Sequence, residues 1–433
     1  MPRRPQLAEF MRRMNPDSVA IIPSALETTR SNDTHYRFRQ SSDFYYLTGF
    51  EEPEAIAVIA PAHKEHLYTL FVRPRDKEKE IWEGRRAGTE GATRDHSADA
   101  ALPFEEFRAK VSEFLTNIPT LYYRIGAGNP ELDDTIIKQM ASMRAMGRKG
   151  IQPPHTIIDP GHIIHEMRLV KAEDEIKLME RAAQITAEAH CEAMKATKPG
   201  VNEYEIEALI EYIFRRNGAV APSYTSIVGG GANATILHYT SNDATLRDGD
   251  LLLVDAGAEY KGYAGDITRT FPVNGRFTPA QRDIYDLVLQ TQIECVQMVK
   301  PGVTIDELHN RSVELLTEGL VRLGLLEGDT KKLIEEEKYK AYYMHRLGHF
   351  LGMDVHDVGR YHNGGKSRAL EPGMLITIEP GLYIAEDANE APEKYRGIGV
   401  RIEDDVLVTK DGGRVLTGDV PKEAEEIEEL MAH

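Results

Sequence analysis

Gly249-Asp250-Leu251-Leu252-Leu253-Val254-Asp255-Ala256-Gly257 has a counterpart later in the chain, Gly373-Met374-Leu375-Ile376-Thr377-Ile378-Glu379-Pro380-Gly381. In each, a turn glycine precedes an apolar run, and an acid stands where the run stops. The pattern reads as one buried strand written twice. A second acid-bearing strand follows each copy, Asp266-Ile267-Thr268-Arg269-Thr270 in one half and Arg401-Ile402-Glu403-Asp404-Asp405 in the other. The match extends upstream, because Lys-Pro-Gly-Val occurs at 198–201 and again at 300–303, each time between two helix-like stretches. Two copies of one unit bring equivalent positions together about a pseudo-twofold axis. Asp255, Asp266, Glu379 and Glu403 are therefore expected at equivalent strand positions around one pocket. Carboxylates packed that closely repel, so the pocket must hold protons or cations. Two divalent cations are the economical answer.

Histidines interleave these acids. His345, His349 and His356 fall within one short glycine-bearing stretch, and His238 follows the turn-like run Gly229-Gly230-Gly231. Four carboxylates and one neutral imidazole would be balanced by two divalent ions, which together lower the pKa of a shared water and clamp a developing oxyanion. Oxygen-rich ligation with one histidine favours Mn²⁺ ahead of Co²⁺ or Zn²⁺. A single acid at a strand end is ordinarily a turn or cap residue; recurrence in both halves argues otherwise for these four. Asp404, Asp405, Asp243 and Glu371 lack that support and are read as solvated turn residues. His345 and His349 have the spacing of a zinc-binding helix, but no Glu follows His345 as such a motif requires. The glycine run lacks the Lys-Ser/Thr of a phosphate loop and is read as a turn carrying His238 towards the pocket. Trp82, the only tryptophan, is assigned to the core by default.

Composition bounds the rest. At 433 residues two domains are expected. A net charge of −18 argues against nucleic-acid partners and anionic membranes, and no apolar window is long enough to span a bilayer. The basic N-terminal stretch lacks the apolar segment of a secretory signal. Two isolated cysteines, Cys191 and Cys295, suit a reducing cytoplasm. Apolar runs at 19–22, 55–59, 67–72 and 121–125 alternate with helix-like stretches at 6–14 and 104–115, giving an α/β first domain. Gly147 to Pro160 is the best linker candidate. One or two long helices over 163–197 then open an α+β second domain. The acidic end from Lys422 reads as a helix with Ile427 and Leu430 on one face.

Taken together, Asp255-Ala-Gly, Asp266-Ile-Thr-Arg-Thr, His349 ahead of Asp354-Val-His-Asp-Val-Gly359, Glu379-Pro-Gly and Gly399-Val-Arg-Ile-Glu403 resemble the complete metal signature of the pita-bread metallopeptidases (family M24B). Tyr260-Lys-Gly-Tyr-Ala-Gly-Asp-Ile-Thr-Arg-Thr-Phe-Pro-Val-Asn-Gly275, Arg39-Gln-Ser-Ser-Asp-Phe44 and Ile81-Trp-Glu-Gly-Arg-Arg86 look like the family's proline-specific bacterial aminopeptidases. The resemblance covers essentially the whole chain. It implies a creatinase-like α/β domain over 1–165 and a pita-bread domain over 166–433. It also implies that Asp255 binds one metal, that His349 binds the other, and that Asp266 and Glu403 span the pair. Glu379 would be both ligand and proton shuttle. His356 and His238 would face the substrate outside the ligand set and act with Glu379 at the reacting bond. His345, Arg401 and Tyr383 would stand close by, and Trp82 would reach the pocket of an adjoining subunit in a homo-oligomer, a dimer or tetramer. The implied reaction is attack by a metal-bridging hydroxide on the bond between any N-terminal residue and a penultimate proline. A prolidase, restricted to dipeptides, is the same-fold alternative. Metal-free hydrolases and binding proteins on this scaffold would show eroded ligands, whereas this set is intact. Methionine aminopeptidases would lack the first domain.

Overall fold

A computed structural model describes residues 4–432; Met1, Pro2 and Arg3 of the basic N-terminal stretch, and His433, lie outside them. The chain divides into two compact units, Met1–Met167 and Arg168–His433. In the first, six strands form one mixed sheet in the order Ala100–Pro103, Tyr68–Val72, Ile56–Ile59, Ser18–Pro23, Thr120–Tyr122, Thr156–Ile158. The central strand Ser18–Pro23 runs antiparallel to Ile56–Ile59 and parallel to Thr120–Tyr122. Its apolar residues Val19 and Ile21 are buried in one cluster with Val111 and Leu115 of one helix and Ile136 and Met140 of another.

Two expectations for this unit are corrected. The stretch from Gly147 to Pro160 is not a linker: Thr156–Ile158 pairs in parallel with Thr120–Tyr122 as the edge of the sheet. Three β-branched residues there outweigh the breakers around them. Trp82 is not in the core but 88% exposed. Its helix, Lys77–Glu83, is charged at five of seven positions and buries none of its residues.

The second unit carries the repeat. Helices Glu173–Ala196 and Glu203–Arg216 precede a sheet of Ile227–Gly230, Leu251–Ala256 and Ile267–Pro272. Helices Pro279–Met298 and Ile305–Arg322 precede a sheet of Leu375–Ile378, Asp404–Val408 and Gly413–Val415. The two Lys-Pro-Gly-Val turns make matching bonds. Gly200 N donates to Leu246 O at 2.9 Å and Leu246 N to Val201 O at 2.8 Å, while Gly302 N donates to Leu370 O at 2.9 Å and Leu370 N to Val303 O at 2.7 Å. The strands start from glycines of the same left-handed conformation, Gly249 at φ 87° and Gly373 at φ 93°.

The repeat does not, however, place all four acids equivalently. Asp255 pairs with Thr268 across its ladder, and Ile378 pairs with Asp404, so one further step sets Glu379 opposite Glu403. Asp255 and Glu379 thus correspond, and the counterpart of Glu403 is Thr268. The counterpart of Asp266 is Arg401, which pairs with Gly381. The second acid is displaced by two residues, which keeps it on the same strand face because side chains alternate.

Asp243 and Glu371 are exposed as expected, but Asp404 and Asp405 are buried. Asp404 accepts bonds from Arg269 Nη2 at 2.8 Å, Lys422 Nζ at 2.6 Å and Gln292 Nε2 at 2.9 Å, and Asp405 accepts one from Asp266 N at 3.2 Å. Their partners come from distant parts of the chain. The C-terminal helix Ala424–Met431 buries Ile427. Among the described residues no helix is long and apolar enough to cross a membrane.

Candidate metal centre

A cavity of about 800 Å³ in the second unit has Asp255, Asp266, His349, Glu379 and Glu403 in its wall, with His238, His345, His356 and Arg401 beside them. The strand ends deliver the acids; His349 arrives from an irregular segment. That segment is not helical, so His345 and His349 do not form a helical pair. It lies along strand Leu375–Ile378 instead, with Thr377 N donating to His349 O at 2.9 Å. Gly348 permits this approach, since a Cβ there would sit 2.0 Å from Thr377 O.

The donor atoms converge. Ligand atoms of Asp266, His349 and Glu403 all lie within 4.8 Å of one another. His349 Nε2 is 3.5 Å from Asp266 Oδ2 and 3.5 Å from Glu379 Oε1. Asp255 Oδ1 and Asp266 Oδ1 each lie 2.5 Å from the Tyr224 hydroxyl, which ties the fifth group to the cluster. His349 Nδ1 must donate to Phe350 O, at 3.0 Å, which turns Nε2 towards the acids, where it can bind a cation that displaces its proton.

The electrostatics call for positive charge. Burial raises the pKa of Asp266, and raises that of Glu403 well above the usual range with Asp266 and Glu379 adding repulsion. Burial pushes Glu379 up to about 7 despite His349 and Arg401. Burial opposes the charged form of His349, but the bond to Asp266 and the charge of Glu379 outweigh it, raising its pKa to about 9. Carboxylates so deeply buried, drawing a proton onto the one imidazole nitrogen that faces them, fit a pair of divalent cations that would take the place of those protons.

A second layer fixes the first. Arg401 Nη2 donates to Asp255 Oδ2 at 2.6 Å, and its Nε to Thr268 Oγ1 at 3.1 Å. Thr268 in turn donates to Glu403 Oε2 at 2.6 Å. Arg401 Nη1 reaches the Tyr383 hydroxyl at 2.9 Å. His345 Nδ1 donates to Arg346 O, so its Nε2 accepts from the Tyr383 hydroxyl at 2.9 Å. Burial and the Arg401 charge lower His345 to about 3, which keeps it neutral. Tyr383 therefore stands behind the cavity wall rather than lining it. His356 packs edge-on against His349, ring centroids 4.4 Å apart. Trp82 is not among the residues of this wall. Tyr224 and Thr268 were not foreseen: neither is a charged residue or part of a ligand spacing, so only the register could have pointed to Thr268.

Comparison with known proteins agrees with this geometry. Residues 177–410 match Metallopeptidase family M24, and residues 3–122 match the Aminopeptidase P N-terminal domain. An Xaa-Pro aminopeptidase of Escherichia coli (strain K12) is 48% identical over 98% of this chain and 97% of its own length. An aminopeptidase structure from Pseudomonas aeruginosa superposes with a TM-score of 0.97 at 48% identity, covering 100% of this chain and 99% of that one. A zinc-substituted E. coli aminopeptidase P in complex with product gives 0.95 at 47% identity, covering 98% and 96%. The chain belongs to metallopeptidase family M24, its pita-bread unit preceded by an aminopeptidase P N-terminal domain.

Proposed function

We propose that this chain is an Xaa-Pro aminopeptidase, hydrolysing the bond between an N-terminal residue and a following proline. The carrying observation is the complete donor cluster in the cavity of a chain 48% identical, end to end, to an Xaa-Pro aminopeptidase. Prolidase activity is not favoured, since the near full-length likeness is to Xaa-Pro aminopeptidases.

Asp255 would hold one cation and His349 the other, with Asp266 and Glu403 spanning them and Glu379 completing the set. The bound pair supplies Lewis acidity and a water of lowered pKa. Mn²⁺ suits this oxygen-rich set with one imidazole better than Co²⁺ or Zn²⁺. The chain's own groups do the rest. Glu379 takes a proton from the attacking water on a carboxylate oxygen and returns it to the departing proline nitrogen. His356 donates an N–H to the oxygen that gains charge at the scissile carbonyl. The Xaa-Pro amide has no N–H, so recognition falls to groups that receive a pyrrolidine ring. His238, on the cavity wall, is placed for this. The exposed Trp82 fits a homo-oligomer, dimer or tetramer, in which one subunit lends it to a neighbour's cavity. The unpaired Cys191 and Cys295 suit the cytoplasm.

The test is release of the N-terminal residue from Xaa-Pro-Xaa, Xaa-Pro and Xaa-Ala-Xaa peptides by enzyme stripped of metal and reloaded with Mn²⁺. Cleavage of the first set, with little of the third, is expected. Equal cleavage of the alanine peptides, or full activity after exhaustive chelation, overturns the reading.

A further inference from the structure

One buried acid stands outside the metal cluster and outside the mechanism. Glu203, the first residue of helix Glu203–Arg216, is 0% exposed, and among the described residues it has no ion-pair partner. Its two carboxylate oxygens instead accept four hydrogen bonds. Oε1 takes Gly230 N at 2.7 Å and Asn233 Nδ2 at 3.0 Å; Oε2 takes the Tyr239 hydroxyl at 2.9 Å and Ala244 N at 2.9 Å. Glu203 N donates back to Ala244 O at 3.0 Å. The donors come in two pairs, one from the start of segment 230–244 and one from its end. An ionised carboxylate is acceptor-only, so it matches four donors as no neutral side chain can, and bonds to a charge are roughly twice as strong as neutral ones.

That segment carries His238 next to Tyr239. The His238 imidazole lines the cavity but makes no hydrogen bond of its own among the described residues, so its place is set by the backbone that bears it. Asn242 pins the far end of the segment, donating to Ser226 O at 2.9 Å and accepting from Val228 N at 3.0 Å. Between Gly231 and Ser241, Leu237 O also accepts from Arg401 Nη2 at 3.5 Å, and Leu237 and Tyr239 pack against Ile227, Ala234, Leu253 and Tyr383. The group that bonds both ends of the segment is the Glu203 carboxylate.

We propose that Glu203 is a positioning residue for substrate recognition: its carboxylate clasps both ends of segment 230–244 and so holds His238 at the wall that receives the substrate's proline ring. This rests on the reading of His238 as a substrate-facing group. Glu203→Gln is the informative change, because the amide turns an NH₂ towards two donors and leaves them unpaired.

Kinetics on an Xaa-Pro-Xaa tripeptide should show KM raised about tenfold, with kcat within about threefold of the parent. His238→Ala should raise KM at least as far, and the double variant should be no worse than His238→Ala alone. Amide exchange should quicken in 231–241 while strands Leu251–Ala256 and Leu375–Ile378 keep their protection. Should Glu203→Gln fail to fold, Tyr239→Phe removes one bond of the clasp and is expected to show a smaller KM rise that His238→Ala again masks. Multiplying effects in the double variant, or a fall in kcat at constant KM, would mean general destabilisation and sink the proposal. A parent enzyme inactive on every Xaa-Pro peptide would refute the activity, and the exchange experiment would still decide the clasp.

Discussion

In the first half of the second unit the acid Asp266 lies one step past the end of its ladder, while Thr268 sits opposite Asp255. In the second half the acid has moved inwards by two residues, to Glu403 opposite Glu379, and Arg401 occupies the place of Asp266. Arg401 then reaches across to Asp255 at 2.6 Å, and Thr268 reaches across to Glu403 at 2.6 Å. Each half thus supplies an acid and the polar group that steadies an acid of the other. The shared scaffold explains why the carboxylates meet; the two-residue offset explains why they meet with different partners. Repetition alone would make a symmetric nest of acids, suited to holding ions and unsuited to distinguishing a proton carrier from a plain ligand.

The hardest test of that asymmetry sets Glu379 against its counterpart Asp255. Glu379→Gln is expected to cut turnover by about 10²–10⁴ in fully metal-loaded protein, because the group that moves the proton is gone. Asp255→Asn should instead lower metal occupancy, with Arg401 left facing a neutral amide. Metal content measured beside kcat separates the two. Equal loss of metal in both variants would show the halves to be functionally interchangeable and break the comparison.

Next in size is the oxyanion donor, which only the second half provides. His356→Ala should lower kcat by about 10²–10³ with metal content unchanged; loss of metal would place it among the ligands instead. Smaller again is the bridge between halves. Arg401→Lys keeps the charge but loses the planar fork that serves Asp255, Thr268 and Tyr383 together. A loss of about 10–100-fold in metal affinity or activity is expected, as for other groups that orient ligands. A metal titration that overlays the parent's would mean that the cross-half bonds are incidental.

The repeat and the five donors were legible in the sequence because each leaves a local trace: an apolar run ended by an acid, or a glycine-spaced histidine. The offset was not, since two strands can each be acid-bearing while their ladder register is set by pairing geometry that only the fold reveals. Asp404 and Asp405 look like turn acids because the groups that neutralise or bond them, Arg269, Lys422 and Asp266 N, are remote in sequence. Glu203 was missed for the opposite reason: at a helix start an acid has a sufficient local explanation, which hides the four bonds it makes. Trp82 shows that an aromatic residue follows its surroundings, and the charges of helix Lys77–Glu83 are the better guide to burial there.

The smallest expected effect concerns stability, and again sets one half against the other. His190 in helix Glu173–Ala196 stands 102 positions before Gln292 in helix Pro279–Met298, the same spacing that separates the two Lys-Pro-Gly-Val turns. His190 Nε2 donates to Ala256 O at 3.0 Å, and its buried Nδ1 has no partner; Gln292, which cannot titrate, donates to Asp404. Burial lowers His190 to about 4 from 6.5. Between those values the unfolded chain binds a proton that the folded chain refuses, so stability is complete above about pH 6.5 and falls as pH drops towards 4, by roughly 3 kcal/mol from this residue. The carboxylates and metals titrate in the same range, so the useful quantity is the difference between the parent and His190→Gln in urea unfolding at each pH. That difference should move in the variant's favour by a few kcal/mol between pH 7 and pH 4.5. In the parent, exchange protection should weaken in strand Leu251–Ala256 before strand Leu375–Ile378, and a pH-independent difference would mean that the first half is no more acid-sensitive than the second.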